Sequence, residues 1–466
     1  MNLPEIFSQR MLRMLGSEYE SFQKSFDNSI ATSIRLNFSK YKEKPKLKPV
    51  DYCNTGYYLS ERPIFTIDPF IHSGVYYVQE SSSMFLEQVV IQSNFPAGCR
   101  VLDLCASPGG KSTHLASLLP KDSLLVSNDV IRARSQILSE NLKKWGNANV
   151  VVTNNDPHDF QRLPDFFDLI VVDAPCSGEG LFRRDPNAIL EWSPENAELC
   201  SQRQKRILAD VWPSLKEGGI LIYSTCTFNP SENEENIKWL NEFADIEPIH
   251  LTVENQWGIT ITGAGNFPCH RFYPHKTTGE GFFMAVVRKR GTNAHSNQRK
   301  IKDNPLLATK GEKESAKSLL ADENLDILRF EDSLLAFPAA HISGLSQIKN
   351  NLRILHAGVK IGELKQKDLL PAHELALSPI LNRHAFPEIK LTIEEALTFL
   401  KRDDITPISN NKGWNLVTYR NIPLGWVKNL GNRFNSAFPK EWRIRMAITE
   451  FRDKRLNEEL AKFPLQ

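Results

Sequence analysis

No stretch of this chain approaches the ~18 consecutive apolar residues that a membrane-spanning helix needs. Its start, Met1 to Phe7, lacks a basic segment followed by a long apolar run. Neither a membrane partner nor a secretory leader is therefore expected. Cysteine is scarce, with seven residues (53, 99, 105, 176, 200, 226 and 269) in a chain of 466. They are odd in number, widely spaced and without a CxxC pair, which argues against a zinc site or a disulfide framework. A reduced, cytoplasmic protein is the expectation. Charge of one sign is also lacking, with 57 basic residues against 55 acidic ones. Any polyanionic partner has to show itself in local clusters. A G-x-G-x-x-G dinucleotide fingerprint is absent. A phosphate-binding P-loop is half present: Gly110-Lys111-Ser112 could end one, but Cys105 stands where its first glycine belongs, which argues against an NTPase.

What is there fills roughly two to four domains at about 100–200 residues each. Residues 4–27 space their apolar side chains for two short amphipathic helices. Ser33 to Phe38 reads as a strand, and Lys40, Lys42, Lys44, Lys46 and Lys48 alternate after it. That run is either a solvated edge or a phosphate-contacting ribbon. Gly74 to Ser83 leads into an apolar helix, Met84 to Ile91. From residue 100 to about 226, strands alternate with helices: Arg100–Leu104, Leu124–Asp129, Val150–Thr153, Asp168–Asp173 and Ile220–Thr225 are the strands. Short apolar strands interleaved with helices predict a mainly parallel sheet covered on both faces, with ligands beyond the carboxyl ends of its strands.

Each of those ends carries a chemically capable residue. The first turn, Cys105-Ala106-Ser107-Pro108-Gly109-Gly110-Lys111, has two glycines and opens a helix, so its backbone N–H groups can approach a ligand closely. Asp129 ends the second strand, where a carboxylate can take ribose hydroxyls, and Asp156 follows the third, where it could accept from an adenine amino group. Together they suit S-adenosylmethionine; singly, each aspartate is better read as turn-forming or helix-capping. Asp173 ends the fourth strand, with Cys176 three residues on, and Cys226 ends the fifth. Cytosine C5 is a poor nucleophile. A thiolate that adds to C6 makes the ring enamine-like, an acid manages the proton near N3, and a base strips the C5 proton so that the thiol can leave. Two cysteines and one strand-end aspartate suit that cycle. Any single cysteine after a buried strand is more often a small core hydrophobe, the reading given to Cys53, Cys99, Cys200 and Cys269.

Three stretches in order, Asp103 to Lys111, Asp173 to Gly178 and Ser224 to Asn233, resemble the NOL1/NOP2/sun (NSUN) family of RNA 5-methylcytosine methyltransferases. The resemblance covers roughly residues 75–290. It implies a Rossmann-like SAM-dependent methyltransferase core, α/β in class, in which Cys226 is the nucleophile, Cys176 assists product release and Asp173 contacts the base. It places S-adenosyl-L-methionine on Cys105 to Lys111, Asp129, Asp156 and Asp173. DNA enzymes of this chemistry use the Pro-Cys cysteine alone, so the second cysteine points to RNA and away from DNA. Ser231-Glu-Asn-Glu234 has the pattern of a capping box, Ser193-Pro194-Glu195 that of a helix start, and Arg271 to His275 followed by Gly281 to Val287 resembles the family's closing hairpin.

Beyond residue 290 the chain turns polar. We expect an N-terminal lead-in α/β domain over 1–75, the methyltransferase domain over 76–290, a polar linker over 291–324, a small domain over 325–388, and a terminal RNA-binding domain over 389–466, its first helix capped at Thr392. Lys412, Arg420, Lys428, Arg433, Lys440, Arg443 and Arg445 fall between Ile405 and Ala447 with Glu441 the sole acid in that stretch, and Trp414, Tyr419, Trp426, Phe434, Phe438 and Trp442 are interleaved. Such cations beside rings suit RNA; alternatively the rings are core and the cations solvated. Pro423 to Gly431 resembles the PUA-like domain that ends the ribosomal RNA small-subunit methyltransferase F group. That likeness implies 16S rRNA or the 30S subunit as partner of a monomeric enzyme. The same chemistry on tRNA, or a non-catalytic RNA-binding protein of ribosome assembly, are the alternatives.

Overall fold

The structure is a computed structural model and describes residues 1, 3–291, 307–365, 368–405 and 410–446. The expectations for 292–306 of the linker and for 447–466 of the terminal domain lie outside the described residues.

The N-terminal helices are Glu5–Leu15 and Tyr19–Ser25. Their apolar stripe (Phe7, Met11, Phe22) is buried against Phe182, Trp192, Phe228 and Tyr273 of the central domain. A sheet follows from β1 (Thr32–Leu36), β2 (Lys48–Val50), β3 (Cys53–Leu59) and β4 (Tyr76–Val78), in the order β2-β3-β1-β4. Lys40 belongs to neither a solvated edge nor a phosphate ribbon. Its ammonium donates to the carbonyls of Ser73, at 2.6 Å, and Lys144.

The central sheet is built on five parallel strands: β5 (Arg100–Asp103), β6 (Leu124–Asn128), β7 (Val150–Thr153), β8 (Phe167–Asp173) and β9 (Leu215–Thr225). Their spatial order is β7-β6-β5-β8-β9, so the order reverses at β5, between β6 and β8. In open α/β sheets the crevice at such a reversal takes the ligand. Both faces are covered, and Val101, Leu102, Leu125, Val151, Ile170, Val171 and Ile222 are at most 1% exposed. Burial on both sides is why these strands read as unbroken apolar runs.

Antiparallel strands extend the sheet at both edges. β10 (Ile246–Pro248), β11 (Thr260–Ala264), β12 (Phe267–Phe272) and β13 (Phe282–Lys289) lie beyond β9, with β12 and β13 forming the expected closing hairpin. The stretch expected to be a polar linker contains a helix, Lys310–Lys317, with a complete capping box between Thr309 and Glu312. A helix this short shows little periodicity, and only its Ala316 is buried. Then β14 (Leu325–Phe330), β15 (Ser333–Pro338), β17 (Val359–Lys365) and β18 (Asp368–Pro371) form a third sheet, while β16 (Ile354–Ala357) between them pairs antiparallel with β7. One strand of the region 325–388 thus closes the edge of the central sheet.

The last sheet is β19 (Glu388–Leu391), β20 (Gly413–Tyr419), β21 (Ile422–Asn429) and β22 (Phe434–Ser436), with helix Ile393–Lys401 capped at Thr392 as expected. It packs back onto the N-terminal sheet. Ile34, Tyr57, Phe70 and Tyr76 share one core with Leu391, Phe399, Val417 and Tyr419.

Candidate active site

Two neighbouring parallel strands deliver the two cysteines. Asp173 and Ser224 are register partners on β8 and β9. The chain leaves β8 through Ala174-Pro175-Cys176 and leaves β9 through Cys226, so adjacent strand ends project both thiols into one space. The Sγ atoms stand 3.1 Å apart and both cysteines are free thiols. The Cys226 N–H also donates to the Cys176 sulfur at 3.3 Å. The hydrogen bond to Cys226 and burial push the Cys176 thiol well above the ordinary range. Either thiol can be the donor in the contact between them.

Asp173 lies beside this pair. The Lys111 ammonium sits 2.7 Å from its Oδ2, and the Ser224 hydroxyl donates to its Oδ1 at 2.8 Å. Burial works against the charge on Lys111, but Asp173 more than offsets it and holds the ammonium's pKa above its ordinary value. Lys111, expected from the sequence to belong to the cofactor turn, is thus the counter-ion of Asp173 and lies close enough to feel Cys226.

The remaining turn residues lie at the end of β5. Gly109 adopts a left-handed φ of 116° and begins helix Gly110–Leu118 without a side-chain cap, so the first N–H groups of that helix are left for another partner. The turn is pinned from behind. Ala106 N–H donates to the Asn128 carbonyl at 2.8 Å, Ser107 Oγ to the Arg134 carbonyl at 2.9 Å, and Asn141 Nδ2 to the Pro108 carbonyl at 2.8 Å. Burial pushes the Cys105 thiol up, which leaves it inert beside the turn. Asp129 is buried at the end of β6 and accepts from the Ile131 N–H at 2.9 Å. Asp156, just past β7, has partners of its own. It caps the short helix Pro157–Arg162 through the His158 N–H and binds Arg206 with both oxygens, at 2.6 and 2.8 Å.

Several residues that shape the site have no role that sequence reasoning assigns. Asp103, at the end of β5, is fully buried; one oxygen accepts from Ser112 Oγ at 2.6 Å, the other has no partner, and burial raises its pKa to about 7. Arg35, on β1, donates to Thr113 Oγ1 at 2.5 Å and to the Gly110 carbonyl at 3.3 Å, and so anchors the cofactor-turn helix to the N-terminal sheet. Neither has a sequence signal of its own, because the partner lies in another element. Ser231 is not the cap that its pattern suggests. Asn229 accepts from the Ser231 N–H, and Glu234 binds Arg271 and Thr262 across the sheet. A buried guanidinium is a stronger draw for that carboxylate than a capping N–H.

Comparison with known proteins matches three parts of the chain. Residues 94–288 match the model of the 16S rRNA methyltransferase RsmB/F, residues 3–81 the N-terminal domain of 16S rRNA methyltransferase RsmF, and residues 386–444 the methyltransferase RsmF PUA domain. The chain is 30% identical to ribosomal RNA small subunit methyltransferase F of Salmonella heidelberg (strain SL476), over 94% of this chain and 96% of that one. Among solved structures, a methyltransferase homolog protein from Pyrococcus horikoshii is 28% identical with a TM-score of 0.53, covering 61% of this chain and 95% of that chain. NSun6 from Pyrococcus horikoshii shares the fold, at 22% identity and a TM-score of 0.52, over 62% of this chain and 98% of that one.

Proposed function

The chain belongs to the ribosomal RNA small-subunit methyltransferase F family, an S-adenosylmethionine-dependent RNA methyltransferase with a Rossmann-like core and an RNA-binding PUA domain, and on that premise we propose that it methylates cytosine C5 in 16S rRNA through a covalent adduct on Cys226. The observation that carries the reading is the thiol pair at 3.1 Å, set on adjacent strand ends beside the Lys111–Asp173 ion pair.

The residues at the strand ends fit the cofactor. Uncapped N–H groups at the start of helix Gly110–Leu118 suit its anionic end, and the Asp129 carboxylate suits its ribose hydroxyls. Lys111, the last residue of that turn, pairs with Asp173 at the end of β8. Asp156 is committed to Arg206, so a role toward the adenine amino group would use lone pairs this ion pair leaves over. When bound, S-adenosylmethionine supplies an electrophilic methyl group.

The protein's own groups do the rest. Cys226 adds to C6 as a thiolate, with the Cys176 sulfur 3.1 Å from its own. Asp173 stands at N3 and the exocyclic amine to manage the proton there as negative charge develops, and the Lys111 ammonium beside it adds a positive charge to the site. After methylation Cys176 gives its thiol proton to solvent and accepts the C5 proton, the C5–C6 double bond re-forms, and the C6–sulfur bond breaks to return Cys226 as a thiolate.

The test is a pair of variants. Cys226→Ala abolishes both methylation and covalent RNA capture. Cys176→Ala still attacks but releases poorly, so a denaturation-resistant protein–RNA adduct accumulates on gels. Swapped phenotypes would move the nucleophile to Cys176. Labelled methyl transfer is compared among 30S subunits, naked rRNA and tRNA, with bisulfite mapping of the product. Incorporation only into tRNA would refute the rRNA target, and none into any of them would refute the activity.

A further inference from the structure

The two cysteine loops are joined by more than their thiols. Glu179, three residues past Cys176, is fully buried and accepts the N–H of Phe228, two residues past Cys226, at 3.2 Å. Glu232, in the loop after Cys226, is also fully buried and accepts the N–H of Ser177, the residue after Cys176, at 2.8 Å. Each loop therefore sends a carboxylate across to the backbone of the other, next to the other's cysteine. The Gly180 N–H donates to the Cys226 carbonyl at 2.8 Å and the hydroxyls of Ser177 and Thr227 meet at 2.9 Å, which closes the seam.

Neither carboxylate is left over for proton transfer. Glu179 also accepts from Arg10 of the first helix at 2.6 Å and from Trp192 Nε1 at 3.0 Å. Glu232 also accepts from Gln204 Nε2 at 3.0 Å and from the Ser177 hydroxyl. A buried carboxylate is costly unless every oxygen is satisfied, and these two meet that condition only with both loops in place. Separating the loops would leave one oxygen of each carboxylate and the Phe228 and Ser177 N–H donors unpaired.

We propose that Glu179 and Glu232 are positioning residues that clasp the two loops and hold Cys176 and Cys226 at contact distance, with Arg10 tying the clasp to the N-terminal helix. The inference rests on the reading above that both thiols serve one reaction cycle, but thiol proximity is measurable without RNA or cofactor. Diamide oxidises neighbouring thiols: each sulfur loses its hydrogen, an S–S bond forms, and the reagent's N=N bond is reduced to a hydrazine. In the full-length protein we expect rapid Cys176–Cys226 cross-linking, found by peptide mapping under non-reducing conditions.

Glu179→Leu and Glu232→Leu keep most of the side-chain volume but remove the acceptors, so the crossing bonds to the Phe228 and Ser177 N–H groups are lost. Each variant is expected to cross-link about tenfold more slowly and to lose about tenfold or more in kcat, with KM for RNA and the calorimetric affinity for S-adenosylmethionine unchanged. Ser177→Ala, which removes one hydroxyl arm only, serves as the milder variant and falls between these and wild type. Cross-linking at the wild-type rate in all three overturns the proposal, as does slower cross-linking that comes with lost cofactor binding, since that means general unfolding. A wild-type protein that cross-links rapidly yet methylates no RNA would refute the reaction and leave the clasp standing.

Discussion

At the residue scale, the decisive groups are buried charges whose partners sit in other elements. Lys111 reaches Asp173 from a different strand end, at 2.7 Å. Lys111→Met removes the positive charge beside Asp173, and by analogy with the loss of one preorganised donor the rate of methyl transfer should fall about 10²-fold, read in single-turnover assays. Asp103 offers a second test. Burial raises its pKa from 3.8 to about 7 in the folded protein. Between those values the unfolded chain has released the proton that the folded one retains, so Asp103 contributes stability below pH 4 that is lost as pH rises toward 7. Asp103→Asn cannot titrate. Its melting temperature relative to wild type should therefore rise between pH 4 and pH 7 and level off above; a difference independent of pH would refute the buried titration. The cysteines are legible as candidates because two of them follow strand ends at motif spacing. Asp103 stands inside a motif, yet nothing in the sequence marks its role, since burial with one unpaired oxygen is a property of the packing around it.

At the element scale, the site depends on how closely two loops pass. A Cβ on Gly180 would lie 2.4 Å from the Gly281 carbonyl oxygen and 2.8 Å from that of Cys226. Both are backbone atoms and cannot swing aside. Gly180→Ala should push the Cys176 loop off the β9 end and lower methylation about tenfold or more, while calorimetry shows cofactor binding at the other side of the β5 turn intact. Four of the parallel strands are legible to within a residue, because unbroken apolar runs bounded by Gly, Pro and Asp have few alternatives, whereas β9 begins at Leu215, five residues before the expected Ile220. Helix starts are legible where the cap is local, as at Ser193 and Thr392. The start after Cys226 departs from its pattern because the Glu234 carboxylate, available to a local cap, bonds Arg271 on β12 instead.

At the scale of the whole molecule, the two ends of the chain share one core. Removing residues 389–466 would expose Ile34, Tyr57 and Phe70 as well as taking away the terminal cations, so truncation does not isolate the terminal domain's role. Its rings also divide. Trp426, Tyr419 and Phe438 are buried in the core, whereas Trp414, Phe434 and Trp442 are half-buried and Lys428 stands over Trp414 at 5.6 Å. The cations Arg420, Arg433, Lys440 and Arg443 are exposed. Replacing these four by Ala should weaken RNA binding and reduce the slope of log affinity against log salt, by up to about 0.7–0.9 for each phosphate that is no longer neutralised, without changing affinity for S-adenosylmethionine. An unchanged salt slope would place the RNA elsewhere.

By itself the sequence determined the strands of the core, the turn at the first strand end and the pair of cysteines that the chemistry needs. These follow from local pattern: apolar runs, glycines where the backbone must turn, and reactive residues at fixed offsets. Only the tertiary structure decided that the two thiols touch, that Lys111 serves Asp173, that two glutamates clasp the loops, and that the terminal sheet rests on the first. Each of those is a pairing between residues 49 or more positions apart along the chain. Hydrogen bonds and packing depend on distance in space, and a linear pattern carries no record of it until the chain has folded.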